Sequence, residues 1–149
     1  MRVAFAADHA GFDMKQWLLA ALAEDGHELV DLGTNNRDPV DYPDFARALG
    51  EAILGGRAER GILVCGSGVG ACIAANKIKG IRAGTCHDNY SGHQGVEHDN
   101  MNVLCLGSRV IGTAPALEIA RAFLGARFSN DERHVRRVAK TQDIELNQR

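Results

Sequence analysis

Ile62-Leu63-Val64-Cys65-Gly66-Ser67-Gly68-Val69-Gly70-Ala71-Cys72-Ile73-Ala74-Ala75-Asn76-Lys77 is the stretch that decides the fold. Its apolar, β-branched start reads as a strand buried on both faces, as in a parallel sheet. Three alternating glycines follow the cysteine, and an alanine-rich helix follows the glycines. A thiol, a hydroxyl and a row of backbone N–H groups therefore meet where a strand ends and a helix begins. Such a helix end has unpaired donors and partial positive charge, which suits an anion. The same glycines also fit a tight strand–helix turn needed only for packing.

Working outward, Val3–Ala7 reads as a first strand ending in Asp8-His9-Ala10-Gly11. Phe12, Met14, Trp17, Leu18, Ala21 and Leu22 recur at helical spacing, which assigns Met14 and Trp17 to the core. Glu28–Leu32, Gly61–Val64, Ile81–Cys86 and Asn102–Leu106 read as four further strands. Helices fall over 44–54, the middle of 87–98, 113–125 (capped by Thr113) and a charged terminus opened by Ser129-Asn130-Asp131-Glu132. Residues 1–149 thus form one domain, with no repeat or linker.

Strand–helix alternation predicts an α/β, doubly wound, Rossmann-like fold with a five-stranded parallel sheet of order 2-1-3-4-5. Ligands of such sheets bind beyond the strand carboxyl ends, at the switch point between the first and third strands. That places Asp8-His9 beside Cys65-Gly66-Ser67.

Composition narrows the chemistry. The formal net charge is −2 and aromatic residues make up 5%, so neither nucleic acid nor an anionic membrane is an expected partner. No apolar run approaches a membrane span, and Met1–Asp8 is too short for a signal peptide. Cys65, Cys72, Cys86 and Cys105 are scattered without a CxxC pair, which predicts reduced thiols in the cytoplasm and no structural zinc.

Gly66-x-Gly68-x-Gly70 departs from GxGxxG, although Asp88 lies about where a ribose-binding acid would. A phosphate loop is excluded because no Lys-Ser/Thr follows the last glycine. A small anionic substrate fits better. A cysteine facing helix N–H donors is favoured as a thiolate. Ser67 could move a proton between neighbouring oxygens, and the amides of Gly66, Ser67, Gly68, Val69 and Gly70 could hold an oxyanion. Cys72, Cys86 and Cys105 read as small core residues. Arg133 and Arg137, one helical turn apart, and Arg109 could grip a phosphate, or serve a solvated surface. His98 precedes the fifth strand, so simple topology puts it at the edge opposite Cys65; His87 and His93 read as polar surface residues.

Taken together, Ala7-Asp8-His9-Ala10-Gly11, Asp41-Tyr42-Pro43, Cys65-Gly66-Ser67-Gly68-Val69-Gly70, Ala74-Ala75-Asn76-Lys77, Gly80-Ile81-Arg82-Ala83, His98, Asn102-Val103-Leu104, Gly107-Ser108-Arg109 and Arg133-His134-x-x-Arg137 resemble type B ribose-5-phosphate isomerases. The related galactose-6-phosphate isomerase subunits share several of these patterns. The resemblance covers nearly the whole chain. It implies interconversion of D-ribose 5-phosphate and D-ribulose 5-phosphate in the pentose phosphate pathway, with no metal or cofactor.

By that resemblance Cys65 is the base that moves the proton between C2 and C1. Ser67 assists proton movement between the oxygens, and the Gly66–Gly70 amides bind the cis-enediolate. His98 opens the furanose ring with Asp8 nearby. His9, Arg109, Arg133 and Arg137 engage substrate, the arginines chiefly its phosphate, and Tyr42 lines the sugar pocket. The resemblance also implies a homodimer, in some members a tetramer, with the site shared across the interface and the C-terminal helix used in dimerisation.

One position departs from the pattern: Asp99 stands where many members have asparagine. An ionised Asp cannot donate to a substrate oxygen and repels an enediolate. Either Asp99 turns away, or the preferred sugar is a six-carbon phosphate such as allose 6-phosphate or galactose 6-phosphate. The alternative from another class is a non-catalytic nucleotide- or effector-binding module, which would use the glycines and Asp88 but neither Cys65 nor the arginine pair.

Overall fold

The computed structural model describes residues 1–148. In chain order it runs β1 (Arg2–Ala7), α1 (Phe12–Leu22), β2 (Glu28–Asp31), α2 (Tyr42–Leu54), β3 (Arg60–Cys65) and α3 (Val69–Ala75). Then come β4 (Ala83–Thr85), α4 (Asn89–Asp99), β5 (Val103–Gly107), α5 (Thr113–Gly125) and α6 (Glu132–Leu146). All strand pairings are parallel, and the order is β2-β1-β3-β5-β4.

The expected doubly wound α/β sheet is present, with its last two strands exchanged. Strand β5 lies beside β3, and β4, three residues long, is the edge. Burial explains the exchange. Val103–Gly107 is buried at every position, whereas Ala83–Thr85 is only partly covered. The longer, wholly apolar strand takes the interior place, where both faces are hidden.

Alternation along the strands sorts the core into two layers. Val3, Phe5, Ile62, Val64, Leu104 and Leu106 face α1, α4 and α5, with Leu18, Ile119 and Phe123 opposite them. Ala4, Ala6, Leu63 and Cys105 face α2 and α3, where Leu49, Ala71 and Ala75 complete a layer of smaller residues. Gly61 belongs to that layer because a Cβ there would lie 2.5 Å from the Leu49 side chain. Each fully buried Leu or Phe contributes about 1.5–3 kcal/mol.

Helix α1 buries Met14, Lys15, Leu18 and Leu22. Trp17 falls off that stripe and is 41% exposed, so it is not the core residue that the spacing predicted. Lys15 takes a core position instead, its ammonium 2.6 Å from Asp31 Oδ1. Gly112, not Thr113, caps α5. Helix α6 buries only His134 and Val138 and packs on α4. Glu145 near its end accepts from the Gly80 amide at 3.1 Å, fastening it beside the start of β4.

Candidate active site

The loops that follow β1, β3 and β5 are sewn into one surface. The Asp8 amide donates to Val64 O at 3.2 Å, and Asp8 Oδ1 accepts from the Gly11 amide at 3.0 Å. Gly11 sits so close to β3 that a Cβ would lie 2.3 Å from the Val64 oxygen. Ser108 Oγ donates to Ala10 O at 2.7 Å, while the Ser108 and Arg109 amides donate to Cys65 O and Gly66 O. Asp8, His9, Cys65, Ser67, Tyr42 and Arg109 consequently line one cavity of about 340 Å³. The switch-point expectation holds.

Cys65 ends β3 and is 4% exposed. Its Sγ accepts from the Gly68 amide at 3.1 Å, a contact that requires the left-handed backbone of Gly68 (φ +80°). Only glycine adopts that conformation without strain. Thr85 Oγ1 donates to Gly68 O at 3.0 Å and holds the turn from its other side. Ser67 Oγ accepts from the Val69 amide at 3.1 Å, so the hydroxyl proton stays available for another acceptor. Arg109 Nη1 lies 3.3 Å from where a Gly66 Cβ would stand, and the Tyr42 ring lies 2.9 Å from that of Gly70. The alternating glycines thus admit three things: a sharp turn, a guanidinium and an aromatic ring.

His9 Nδ1 accepts from the Val40 amide at 3.1 Å, which leaves the other ring nitrogen to carry a proton and donate. His87 likewise receives the Gly107 amide at 2.9 Å, a structural role that removes it from the surface set. Asp88 caps α4, accepting from the Ser91 amide at 2.8 Å, and that bond holds its carboxyl below the ordinary range. A ribose-binding acid would need those oxygens free.

The remaining predicted residues assemble elsewhere. His98 and Asp99 close α4, before β5 begins; Arg133 and Arg137 lie on α6. Val103 pairs with Gly61 and Gly107 with Cys65. Four rises of strand, about 13 Å, thus separate the edge His98 leads into from the edge Cys65 occupies. His98 stacks on His134, with ring centroids 4.0 Å apart, and Gln94 Nε2 lies 2.9 Å from His98 Nδ1. Asp99 borders a different cavity, between α6 and the chain leading into β4. His134 carries no assigned role in the sequence pattern. Its environment comes from a helix pairing that local periodicity does not encode.

Among the described residues, no three His, Cys, Asp or Glu side chains converge as a metal would need. No helix there is long and apolar enough to cross a membrane.

Residues 3–141 match the sequence profile of the family described as Ribose/Galactose Isomerase. The chain belongs to that family. Ribose-5-phosphate isomerase B of Escherichia coli K12 is 44% identical over 144 residues, 97% of this chain and 96% of that one. Ribose-5-phosphate isomerase B of Clostridium thermocellum superposes with a TM-score of 0.95 at 41% identity, covering 98% of each chain. The Mycoplasma genitalium enzyme, solved with bound ribulose 5-phosphate, has a TM-score of 0.92 at 36% identity over 99% of this chain and 97% of that one. Membership spans the whole domain, so it takes in both residue clusters, the Cys65 cavity and the His98 end.

Proposed function

We propose that this chain is an aldose–ketose isomerase that interconverts D-ribose 5-phosphate and D-ribulose 5-phosphate through a cis-enediolate. The observation that carries the reading is a nearly buried Cys65 whose sulfur takes the Gly68 amide, beside Asp8, His9 and Ser67. Relatives named ribose-5-phosphate isomerase B, one of them holding ribulose 5-phosphate, supply the substrate.

The chemistry runs in four steps. His98 transfers a proton as the furanose ring opens to the aldehyde. The Cys65 thiolate takes the C2 proton, and the electron pair becomes the C1–C2 double bond of the enediolate. Ser67 passes a proton between O2 and O1, and the Cys65 thiol returns its proton to C1. Carbon next to a carbonyl is a weak acid, so the enediolate needs fixed donors. The Ser67 and Gly70 amides have no partner among the described residues and lie on the cavity. His9 and Arg109, with Arg133 and Arg137, bind the phosphate. Holding that remote group immobilises the flexible open chain.

A single chain does not bring His98, Arg133 and Arg137 to Cys65. The working unit is therefore a homodimer in which one protomer's α4 and α6 complete its partner's cavity; a tetramer would be two such dimers. Val110 lines the cavity, and exposed Val69 and Ile73 lie on α3, whose first turn borders it; these three form the apolar surface for that contact. Relatives named for the five-carbon sugar phosphate favour that substrate over a six-carbon one. Four free thiols suit the reducing cytoplasm.

The test is complementation. Cys65→Ala and Arg137→Ala proteins are each prepared, then unfolded, mixed and refolded, and ribulose 5-phosphate formation is followed without added metal or nucleotide. Mixed dimers regain up to about one quarter of the wild-type sites on statistical pairing. Absence of rescue overturns the shared site. Faster turnover of allose 6-phosphate or galactose 6-phosphate overturns the substrate.

A further inference from the structure

His98 does one job in this mechanism, yet a second histidine lies against it that the mechanism does not use. His134 is 3% exposed, and its ring stacks on His98 at 4.0 Å with 24° between the planes. Most exposed histidines are free to turn. His98 is not.

The stack is held by a short chain of bonds. Ser129 Oγ accepts from the Asp131 amide at 3.1 Å and is hydrogen-bonded to His134 Nδ1, 2.5 Å away. The Ser129 amide donates to Glu97 O at 2.9 Å, which ties the approach to α6 to the residue before His98. On the other side Gln94 Nε2 donates to His98 Nδ1 at 2.9 Å. That bond puts the proton of a neutral His98 on Nε2. The nearest carboxylate oxygen, Glu97 Oε1, is 3.8 Å from Nε2, beyond hydrogen-bond range. One ring face is covered, one nitrogen is engaged, and the other nitrogen is free for a ligand. Burial also lowers the proton affinity of His134, so an uncharged ring meets His98.

We propose that His134, clamped by Ser129, is a positioning residue that fixes the plane of the His98 imidazole so that Nε2 meets the ring oxygen of the closed sugar phosphate. The proposal rests on the reading that His98 opens the ring, and the two can be separated by choice of substrate. Ribose 5-phosphate is mainly a closed furanose. Erythrose 4-phosphate, an aldose whose O4 is esterified, cannot close to a furanose and enters the site open. A lesion in ring opening slows only the closed substrate. A packing lesion slows both substrates alike.

The experiment measures kcat/KM with ribose 5-phosphate and with erythrose 4-phosphate for His98→Ala, His134→Ala, His134→Phe and Ser129→Ala, each against the wild type. His98→Ala loses about 100-fold with ribose 5-phosphate and little with erythrose 4-phosphate. His134→Ala loses about tenfold with ribose 5-phosphate alone, as expected of a displaced catalytic group. His134→Phe, which keeps a stacking ring, recovers most of that loss. Ser129→Ala shows the same one-sided loss on a smaller scale, and stands in if His134→Ala does not fold. If His98→Ala is one-sided while the His134 and Ser129 variants fall equally with both substrates, or not at all, His134 is only packing. If His98→Ala itself falls equally with both substrates, the ring-opening reading fails and takes the proposal with it.

Discussion

The Cys65 end and the His98 end of this domain hold their functional groups by different means. Around Cys65 the backbone does the holding. Gly68 places an amide on the sulfur, Gly11 lets the Asp8 loop press on β3, and the Ser108 and Arg109 amides lock onto Cys65 O and Gly66 O. Around His98 the holders are side chains on helices: Gln94, His134 and Ser129. The first arrangement is bound to the rigid sheet and suits a charge that develops at one fixed point. The second sits on α4 and on α6, which buries only two residues of its own. It suits groups that must meet another surface.

The largest expected effect tests the backbone-held end. Cys65→Ala leaves the amides, Asp8 and His9 in place and removes only the proposed base. Turnover falls about 1,000-fold or more, while ribulose 5-phosphate still binds, as calorimetry would register. Near-normal turnover would move the base elsewhere and erase the distinction between the two ends.

A second substitution addresses their meeting. Ile73 is 58% exposed on α3, beside Val69 at 53%. In the dimer proposed above, this exposed apolar pair faces the partner. Ile73→Asp places a charge there without touching the fold's interior. Light scattering should report a monomer, and activity should fall below about 1% because the unpaired charge costs several kcal/mol at a buried contact. A fully active monomer would mean that one chain brings both ends together, contrary to the placement of β5 between them.

The two ends also differed in how far they could be read from the sequence. The Cys65 turn was legible because its information is local: a buried strand, three spaced glycines and a small-residue helix have few other solutions. Its partner loop followed from one topological rule, the switch point between β1 and β3. The exchange of β4 and β5 was not legible, since it depends on which strand is hidden on both faces. Trp17 misled because apolar spacing near a helix start fits two neighbouring stripes, and Lys15 with Asp31 took the inner one. His134 was invisible as a working residue. Nothing within its own helix says that α6 would set its ring on His98.

The smallest effect concerns only the side-chain-held end. The proton affinity of His134 is lowered first by burial, then by His98 and Arg133, with Asp131 opposing and Arg137 adding slightly. An unfolded histidine titrates near 6.5. Between that value and the lower folded one, the unfolded chain binds a proton that the folded chain refuses, so stability rises with pH in that window. Acidification from pH 7.5 therefore begins to cost stability as it passes about 6.5, and the cost stops growing below the folded value. His134→Phe removes this contribution. Its melting temperature should decline less than the wild type's between pH 7.5 and 5.5 when the two are scanned together. Parallel declines would mean that the His134 ring takes up its proton as readily in the fold as outside it, and that the clamp on His98 is looser than the stack and the Ser129 bond describe.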